Sequence, residues 1–208
     1  MARTFALLLA CLLPLGSLAA AEPAALVEGR DYVIVDAQPW RPVKGKVEIA
    51  EIFAYTCSHC AEFEPALEAW AAKLPKDAHL ERVPAAYNPN DPFARGFFVA
   101  EQAGALPRTH AELFDALHHK RLLPGNASAT ELAWFYGQHG LDQNKVKAAF
   151  GSARVDAEMK RAREFALAVG LQGTPTLIVD GRYRITPRSH ADALRIADAL
   201  IARIRAKR

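Results

Sequence analysis

Two cysteines, Cys57 and Cys60, stand where the sequence changes from a strand pattern to a helix pattern. Before them, residues 47–56 (VEIAEIFAYT) are mostly apolar, β-branched or aromatic, which is typical of a strand buried on both faces. After them, apolar side chains recur at spacings of four, three and four residues, which indicates a helix. Cys57 therefore lies at a predicted helix N-terminus, where free N–H groups and the positive end of the dipole favour a thiolate.

The first 21 residues have the pattern of an export signal. A short positive start, Met1-Ala2-Arg3, precedes an almost wholly apolar stretch over residues 5–15, and Ala19-Ala20-Ala21 provides small residues for cleavage. The apolar stretch is shorter than the roughly 20 residues that a membrane-spanning helix needs. We expect a signal peptide that is cleaved near Ala21. Lipidation of Cys11 is a less favoured alternative, because the apolar stretch before it is only about half the usual length.

Loss of the signal peptide would leave Cys57 and Cys60 as the only cysteines of an exported protein. A disulfide across two intervening residues closes a very small loop and removes little entropy from the unfolded chain. A tetrahedral metal site needs further ligands, and no second cysteine pair exists to provide them. Redox chemistry is therefore the favoured interpretation, and a structural disulfide or a metal site is the alternative.

The amino-acid composition excludes some classes of protein but does not indicate a function. The chain has 208 residues, of which 51% are hydrophobic and 24% charged, as expected of a soluble globular protein. A formal net charge of +3, scattered along the sequence, gives no reason to expect nucleic-acid binding. The length suits one large domain or two small ones.

The order of the remaining patterns predicts a small α/β domain with a helical insertion. Strand patterns occur at residues 31–36 and 79–86 and return at residues 176–179, where Asp180-Gly181 predicts a hairpin turn into a further strand. Residues 91–169 between them carry helical signals.

Several residues mark the expected helix ends. Thr109 with Glu112, and Ser128 with Glu131, have the spacing of capping boxes. Other helix-end residues are Gly140 and Gly170, which suit C-termini, Ser189, which suits the N-cap of a last helix, and Pro65, which should kink the helix after Cys60.

Two motifs in this order resemble the thioredoxin superfamily. One is F-A-Y-T-C-S-H-C over residues 53–60, and the other is Gly173-Thr174-Pro175-Thr176 before a strand. The export signal, the histidine between the cysteines and the helical insertion resemble its DsbA branch, the periplasmic dithiol oxidases. The resemblance implies a thioredoxin fold with an inserted all-helical domain. We expect residues 22–90 and 168–208 to form the thioredoxin-like domain and residues 91–167 the insertion.

The resemblance implies a role for each cysteine. Cys57, the first of the pair, should be the exposed sulfur that a client thiolate attacks, and transfer of the disulfide to the client leaves Cys57 and Cys60 reduced. His59 lies between them, where a partial positive charge or an N–H group can stabilise the Cys57 thiolate. A solvated loop histidine is the alternative. Ser58 stands where the best-known DsbA motif has proline, which leaves the oxidising strength open.

Three further residues are site candidates by resemblance. Pro175 resembles the cis-proline that faces the redox motif, and Thr174 would present backbone to an extended client chain. Glu51, six residues before Cys57, resembles the acid that lies beneath the active site, where it would tune the cysteines and carry protons. Exposure at a sheet edge is the alternative for Glu51. Glu64 and Arg82 could be its charge partners, but surface positions are favoured for both.

The resulting hypothesis is a monomeric periplasmic thiol:disulfide oxidoreductase. It would donate the Cys57–Cys60 disulfide to reduced exported proteins and be reoxidised by a DsbB-like, quinone-linked membrane enzyme, without a metal or another cofactor. A disulfide reductase or isomerase is the alternative within the class, and a Cu(I)-binding chaperone is an alternative outside it.

The remaining polar and aromatic residues fit a solvent-exposed surface or the core better than a catalytic or metal site. We expect His118 and His119 to lie on a solvated helix face, since no partner with ligand spacing accompanies them. Trp70, Trp134 and Phe135 have spacings suited to core packing. Three further aromatic residues fit either the core or a client-binding groove, and the sequence does not separate the two: Phe93, Phe97 and Phe98.

Overall fold

A computed structural model describes residues 25–208. The predicted signal peptide, residues 1–21, lies outside the described residues. Over residues 25–208, no helix has both the length and the apolar character that crossing a bilayer requires.

The centre of the molecule is a five-stranded sheet in the order β1-β5-β4-β2-β3. Its strands are β1 (Tyr32–Ile34), β2 (Val47–Phe53), β3 (Ala78–Pro84), β4 (Thr176–Val179) and β5 (Tyr183–Ile185). β2 pairs in parallel with β3 and antiparallel with β4, and every residue of β2 is buried. All five predicted strands are present. β1 and β2 are shorter than their patterns, and β3, predicted over residues 79–86, begins one residue earlier and ends two residues earlier than that range.

Two helices cover one face of the sheet. Helix α1 (Ser58–Ala71) follows β2 directly and continues through Pro65, and α7 (His190–Arg205) packs on β2, β4 and β5. Apolar side chains of α1, α7 and the sheet form the core on this side, with Phe63, Leu67, Ile196 and Leu200 among its buried members.

Five consecutive helices lie between β3 and β4. They are α2 (Pro92–Gln102), α3 (Leu106–His118), α4 (Ala129–Gln138), α5 (Gln143–Phe150) and α6 (Ala153–Ala168). Their apolar faces join the other face of the sheet in one continuous core, which includes Phe93, Phe97 and Phe98. The fold is therefore a thioredoxin fold with an inserted all-helical domain, as predicted. The residue boundaries of the two domains stay a prediction.

The turn between β4 and β5 is the predicted hairpin. Asp180 and Gly181 both have positive φ, at 54° and 65°, and the Arg182 N–H donates to the Val179 carbonyl at 3.0 Å. This is the conformation of a type I′ turn, which suits Asp-Gly. A Cβ atom on Gly181 would lie 2.5 Å from the backbone of Gln38 and Pro39, so the position also needs glycine for space.

Most of the predicted helix ends are confirmed, and one is wrong. Ser128 and Glu131 form the capping box of α4, and Ser189 caps α7. Gly140 and Gly170 follow helix ends with positive φ. Thr109, however, lies inside α3 and is buried, with its hydroxyl donating to the Ala105 carbonyl, because α3 begins a turn earlier at Leu106.

Trp134 also differs from its expected position. It was expected to pack in the core, but it lies on the outer face of α4 and is 45% exposed. Leu132, Ala133, Phe135 and Tyr136 are the residues that α4 buries.

Candidate active site

Cys57 occupies the N-cap of α1, at the exposed end of β2. Its N–H donates to the Ala54 carbonyl at 3.1 Å, which closes a turn over residues 54–57. Its Sγ accepts the Cys60 N–H at 3.3 Å, as an N-cap side chain does. The helix thus directs a free N–H group and the positive end of its dipole towards Cys57 Sγ.

The two cysteines differ in exposure. Both are free thiols, and Cys57 is partly exposed, whereas Cys60 is fully buried. Burial raises the pKa of the Cys60 thiol well above its ordinary value. Of the two sulfurs, only Cys57 can therefore meet an incoming thiol, and its accessibility agrees with the prediction.

The loop before β4 faces the cysteines. The Thr174–Pro175 peptide bond is cis, which confirms that prediction, and the Cys57 thiol donates to the Thr174 carbonyl at 3.3 Å. Thr174 and Pro175 are both partly exposed beside Cys57. A chain that reached Cys57 would therefore meet the backbone of this loop.

Ser58 and His59 form the exposed surface of the motif. The His59 side chain is 73% exposed, and its Nδ1 lies 3.5 Å from Glu62 Oε2. Ser58 is the first residue of α1 and faces solvent. Both side chains are accessible to a bound protein.

Glu51 lies in the middle of β2 and is not at an exposed sheet edge. Its side chain is 1% exposed, and neither carboxylate oxygen has a hydrogen-bond partner among the described residues. Burial, and then the nearby charge of Glu64, raise the pKa of Glu51 to about 8. At neutral pH, Glu51 is therefore mainly a neutral acid.

Glu64 and Arg82 are not the ordinary surface charges that were expected. The Glu64 side chain is buried and Arg82 Nη2 donates to its Oε1 at 3.0 Å, while Arg82 Nε lies 3.8 Å from Glu51 Oε2. Arg82 is opposite Glu51 in the β2–β3 register, and Glu64 is on α1 above the same face. Burial alone would raise the pKa of Glu64, but the neighbouring His110 ring and Arg82 outweigh it and lower that pKa.

The site also contains residues for which the sequence predicted no role or a different one. Tyr55, His110 and Phe114 pack together beneath the turn that leads to Cys57. His118, expected on a solvated face, is partly buried, and its ring nitrogen Nε2 is 2.7 Å from the Tyr55 carbonyl oxygen. Of these two neighbouring histidines, it is His119 that is solvated, with its side chain 71% exposed. The spacing of residues 110, 114 and 118, four and four on one helix, was the available signal.

An apolar cleft begins beside the end of β2 that leads to Cys57, where the Ala85 N–H donates to the Phe53 carbonyl at 2.8 Å. It has a volume of about 360 Å³ and is lined by residues of the β3–α2 connection and the C-terminal part of α6. Tyr87 and Leu167 are exposed at its edge, by 57% and 69%. Burial, and then the charges of Cys60 and Cys57, raise the pKa of Tyr87.

No metal-binding group was found in the part of the chain that the structure describes. Over residues 25–208, no three or more His, Cys, Asp and Glu side chains are arranged to hold a metal ion.

Comparisons with known proteins agree with this geometry. A family model described as thioredoxin matches residues 43–199. The thiol:disulfide interchange protein DsbA of Azotobacter vinelandii is 36% identical over 185 residues, covering 86% of this chain and 85% of the relative. DsbA of Pseudomonas aeruginosa is 33% identical over 208 residues, covering 96% and 97%. The crystal structure of oxidoreductase DsbA from Xylella fastidiosa superposes with a TM-score of 0.84 at 42% identity, covering 87% of this chain and 98% of that one.

Proposed function

This chain belongs to the DsbA family of thioredoxin-fold thiol:disulfide oxidoreductases, and we propose that its Cys57–Cys60 pair oxidises exported proteins in the periplasm. The observation that carries this proposal is the pairing of an accessible sulfur at a helix N-cap with a buried sulfur three residues later. The predicted export signal supports the compartment.

The proposed reaction moves two electrons from the client to the cysteine pair. A client thiolate attacks Cys57 Sγ of the oxidised pair, the bond between Cys57 and Cys60 breaks, and Cys60 leaves with the electron pair. A second client thiolate then attacks the client sulfur of the mixed disulfide and releases Cys57 as a thiolate. The client gains one disulfide and loses two protons, and the pair becomes the dithiol.

The surrounding residues have distinct proposed roles. The N–H groups of α1 stabilise the Cys57 thiolate, and His59 adds a donor or a positive charge from the solvent side. Glu51, beneath the pair, carries a proton at neutral pH and takes part in the proton exchange of Cys60. The exposed Ser58 and the backbone of Thr174 and Pro175 contact the client.

Client choice is proposed to depend on short backbone contacts and on the adjoining apolar cleft. Reduced and unfolded proteins expose extended backbone and apolar side chains, and the loop at Thr174 and the exposed Tyr87 and Leu167 suit those features. The reduced pair would be reoxidised by a quinone-linked membrane enzyme resembling DsbB. That enzyme would approach the same accessible face, since Cys60 is buried. A monomer is sufficient for all these steps.

The decisive experiment is disulfide transfer to a reduced, unfolded test protein that has two cysteines. The oxidised protein should oxidise it stoichiometrically, and Cys57→Ser should abolish transfer. Cys60→Ser should form a persistent mixed disulfide at Cys57 with a client analogue whose single cysteine is already in a disulfide with a good leaving thiol, which the exchange releases. Absence of oxidation by the wild type would overturn the proposal.

The same preparation distinguishes the alternatives. A reduction potential near that of thioredoxin, about −270 mV, together with reduction of insulin, would identify a reductase instead. Tight one-to-one Cu(I) binding without oxidase activity would identify a metal chaperone.

A further inference from the structure

One face of helix α3, in the inserted domain, holds the turn that leads to Cys57. The three residues of this face are His110, Phe114 and His118, and all three contact Tyr55. Tyr55 is the second residue of the turn 54–57, which the Cys57 N–H closes on the Ala54 carbonyl. The contacts therefore cross from the insertion to the redox site.

The first contact fixes the Tyr55 side chain. Its Oη is 2.7 Å from His110 Nδ1, and both residues are buried. Burial raises the pKa of Tyr55 and lowers that of His110, so a neutral phenol donates to a neutral ring. His110 Nε2 then carries the ring proton and faces Glu64 Oε2 on α1 at 3.5 Å. His110 thus lies against both the turn before Cys57 and the helix after it.

The second contact fixes the Tyr55 backbone. His118 Nε2 is 2.7 Å from the Tyr55 carbonyl oxygen and donates to it, since a carbonyl can only accept. The orientation of this carbonyl sets the plane of the peptide between Tyr55 and Thr56, one residue before Cys57. Phe114, between the two histidines on α3, packs on the Tyr55 ring with centroids 4.9 Å apart.

We propose that His110 and His118 are positioning residues for Cys57: through Tyr55 they hold the turn in the geometry that keeps Cys57 Sγ on the Cys60 N–H of α1. Neither histidine touches the reacting sulfurs, so each acts through Tyr55. The inserted domain then contributes to the stability of the reduced form. This inference rests on the proposed function, because it concerns how strongly the pair oxidises.

The reduction equilibrium distinguishes positioning from ordinary structural support. A contact that stabilises the oxidised and reduced proteins equally leaves their equilibrium with glutathione unchanged, whatever it does to unfolding. A contact that holds the Cys57 thiolate in place favours the reduced form alone, so its loss makes the pair a weaker oxidant. The variants are His118→Leu, which removes the donor, and His118→Gln, whose amide N–H can replace Nε2.

The test measures the glutathione equilibrium and the urea unfolding of both redox forms. For His118→Leu we expect the ratio [GSH]²/[GSSG] at half-reduction to rise at least threefold, and His118→Gln should recover most of the change. Tyr55→Phe, which keeps the ring packing and loses the contact with His110, should shift the equilibrium in the same direction. It also serves as the second variant if His118→Leu folds poorly.

His139→Leu is the matched control. His139 Nδ1 is 2.8 Å from the Phe135 carbonyl at the end of α4, so this histidine also bonds a backbone carbonyl but lies outside the redox site. Its loss should leave the glutathione equilibrium unchanged. Equal equilibria for wild type, His118→Leu and Tyr55→Phe would overturn the inference, even where the wild type oxidises the test protein. Failure of the wild type in that assay would instead overturn the proposed function.

Discussion

At the scale of single residues, Glu51 has an unusual environment for a carboxyl group. Its carboxyl group is buried in β2 with a pKa raised to about 8, whereas in the unfolded chain it ionises at the ordinary value near 4.5. Between these values the folded protein binds a proton that the unfolded chain does not. Stability from this group is therefore fully present below pH 4.5 and is lost as the pH rises through 8, by up to about 1.4 kcal/mol per pH unit.

Replacement of Glu51 by glutamine should remove this pH dependence. With the cysteine pair kept oxidised, we expect the free energy of unfolding of Glu51→Gln, relative to wild type, to increase by about 1–2 kcal/mol between pH 6.5 and 8. Urea unfolding at several pH values measures it. Other titrating groups are common to both proteins and cancel largely in the difference.

Glu131→Gln is the control for that measurement. Glu131 is an exposed capping residue whose pKa is lowered, first by the Ser128 N–H, so it is ionised throughout this pH range in both states. Its loss should cost a constant amount of stability. Parallel curves for wild type and Glu51→Gln would contradict the protonated state assigned to Glu51.

Single residues differed in how well the sequence predicted them. The cysteine pair and the cis bond before Pro175 followed from motifs of consecutive residues. The ionic cluster around Glu51 did not, because Glu64 and Arg82 reach it from α1 and from β3. His110 comes from still further along the chain. The spacing of residues 110, 114 and 118 places them on one helix face, but it does not indicate that this face bonds a buried tyrosine.

At the scale of elements, the β4–β5 hairpin requires glycine at position 181 for two separate reasons. Gly181 needs positive φ for the type I′ turn, and it also leaves no space for a Cβ atom against the backbone of Gln38 and Pro39. Gly45 shares the first requirement, with φ of 80°, but nothing lies within 4 Å of its Cβ position.

We therefore expect Gly181→Ala to be considerably more destabilising than Gly45→Ala. The strain of a left-handed alanine is about 1–2 kcal/mol and applies to both. The clash with backbone at Gly181 should at least double the loss, since the neighbouring chain must move. Urea unfolding of both variants measures the difference, and equal losses would show that the loop at residues 38–39 moves at no cost.

Elements were predicted well where the signal was local. Strand and helix types follow the periodicity, and the Ser128–Glu131 and Ser189 caps formed as expected. The cap at Thr109 failed because Leu106 and Pro107 already begin α3, and tertiary packing then buries Thr109. A capping pattern predicts an end only where the helix cannot extend past it.

At the scale of the whole molecule, Arg41 joins the two parts of the fold. Arg41 lies in the loop before β2, and its guanidinium forms a bidentate pair with Glu101 of α2. Its Nη1 and Nη2 donate to Glu101 Oε1 and Oε2 at 2.5 and 2.7 Å. It also lies 3.7 Å from Glu81 on β3 and 3.7 Å from Glu158 on α6. Next to it, Arg161 of α6 stacks on the buried Trp40 at 3.8 Å from the ring centroid.

Arg41→Gln should lower the free energy of unfolding by about 1–3 kcal/mol, since it leaves three carboxylates in a partly buried site without their shared partner. The matched control is Arg205→Gln, which removes an Arg–carboxylate pair with Asp77 in which both side chains are more than 40% exposed. That change should cost much less, because solvent screens an exposed ion pair. Equal losses in urea unfolding would show that Arg41 is no more than a surface charge.

The burial of Cys60 affects how long a client stays bound to Cys57 as a mixed disulfide. In the proposed reaction, a client held on Cys57 leaves either when its own second cysteine attacks or when Cys60 attacks and ejects it unoxidised. Attack requires a thiolate, and the raised pKa of the buried Cys60 keeps its thiolate scarce at neutral pH. The escape route is therefore slow, and a client whose second cysteine lies far along its chain has longer to bring it into place.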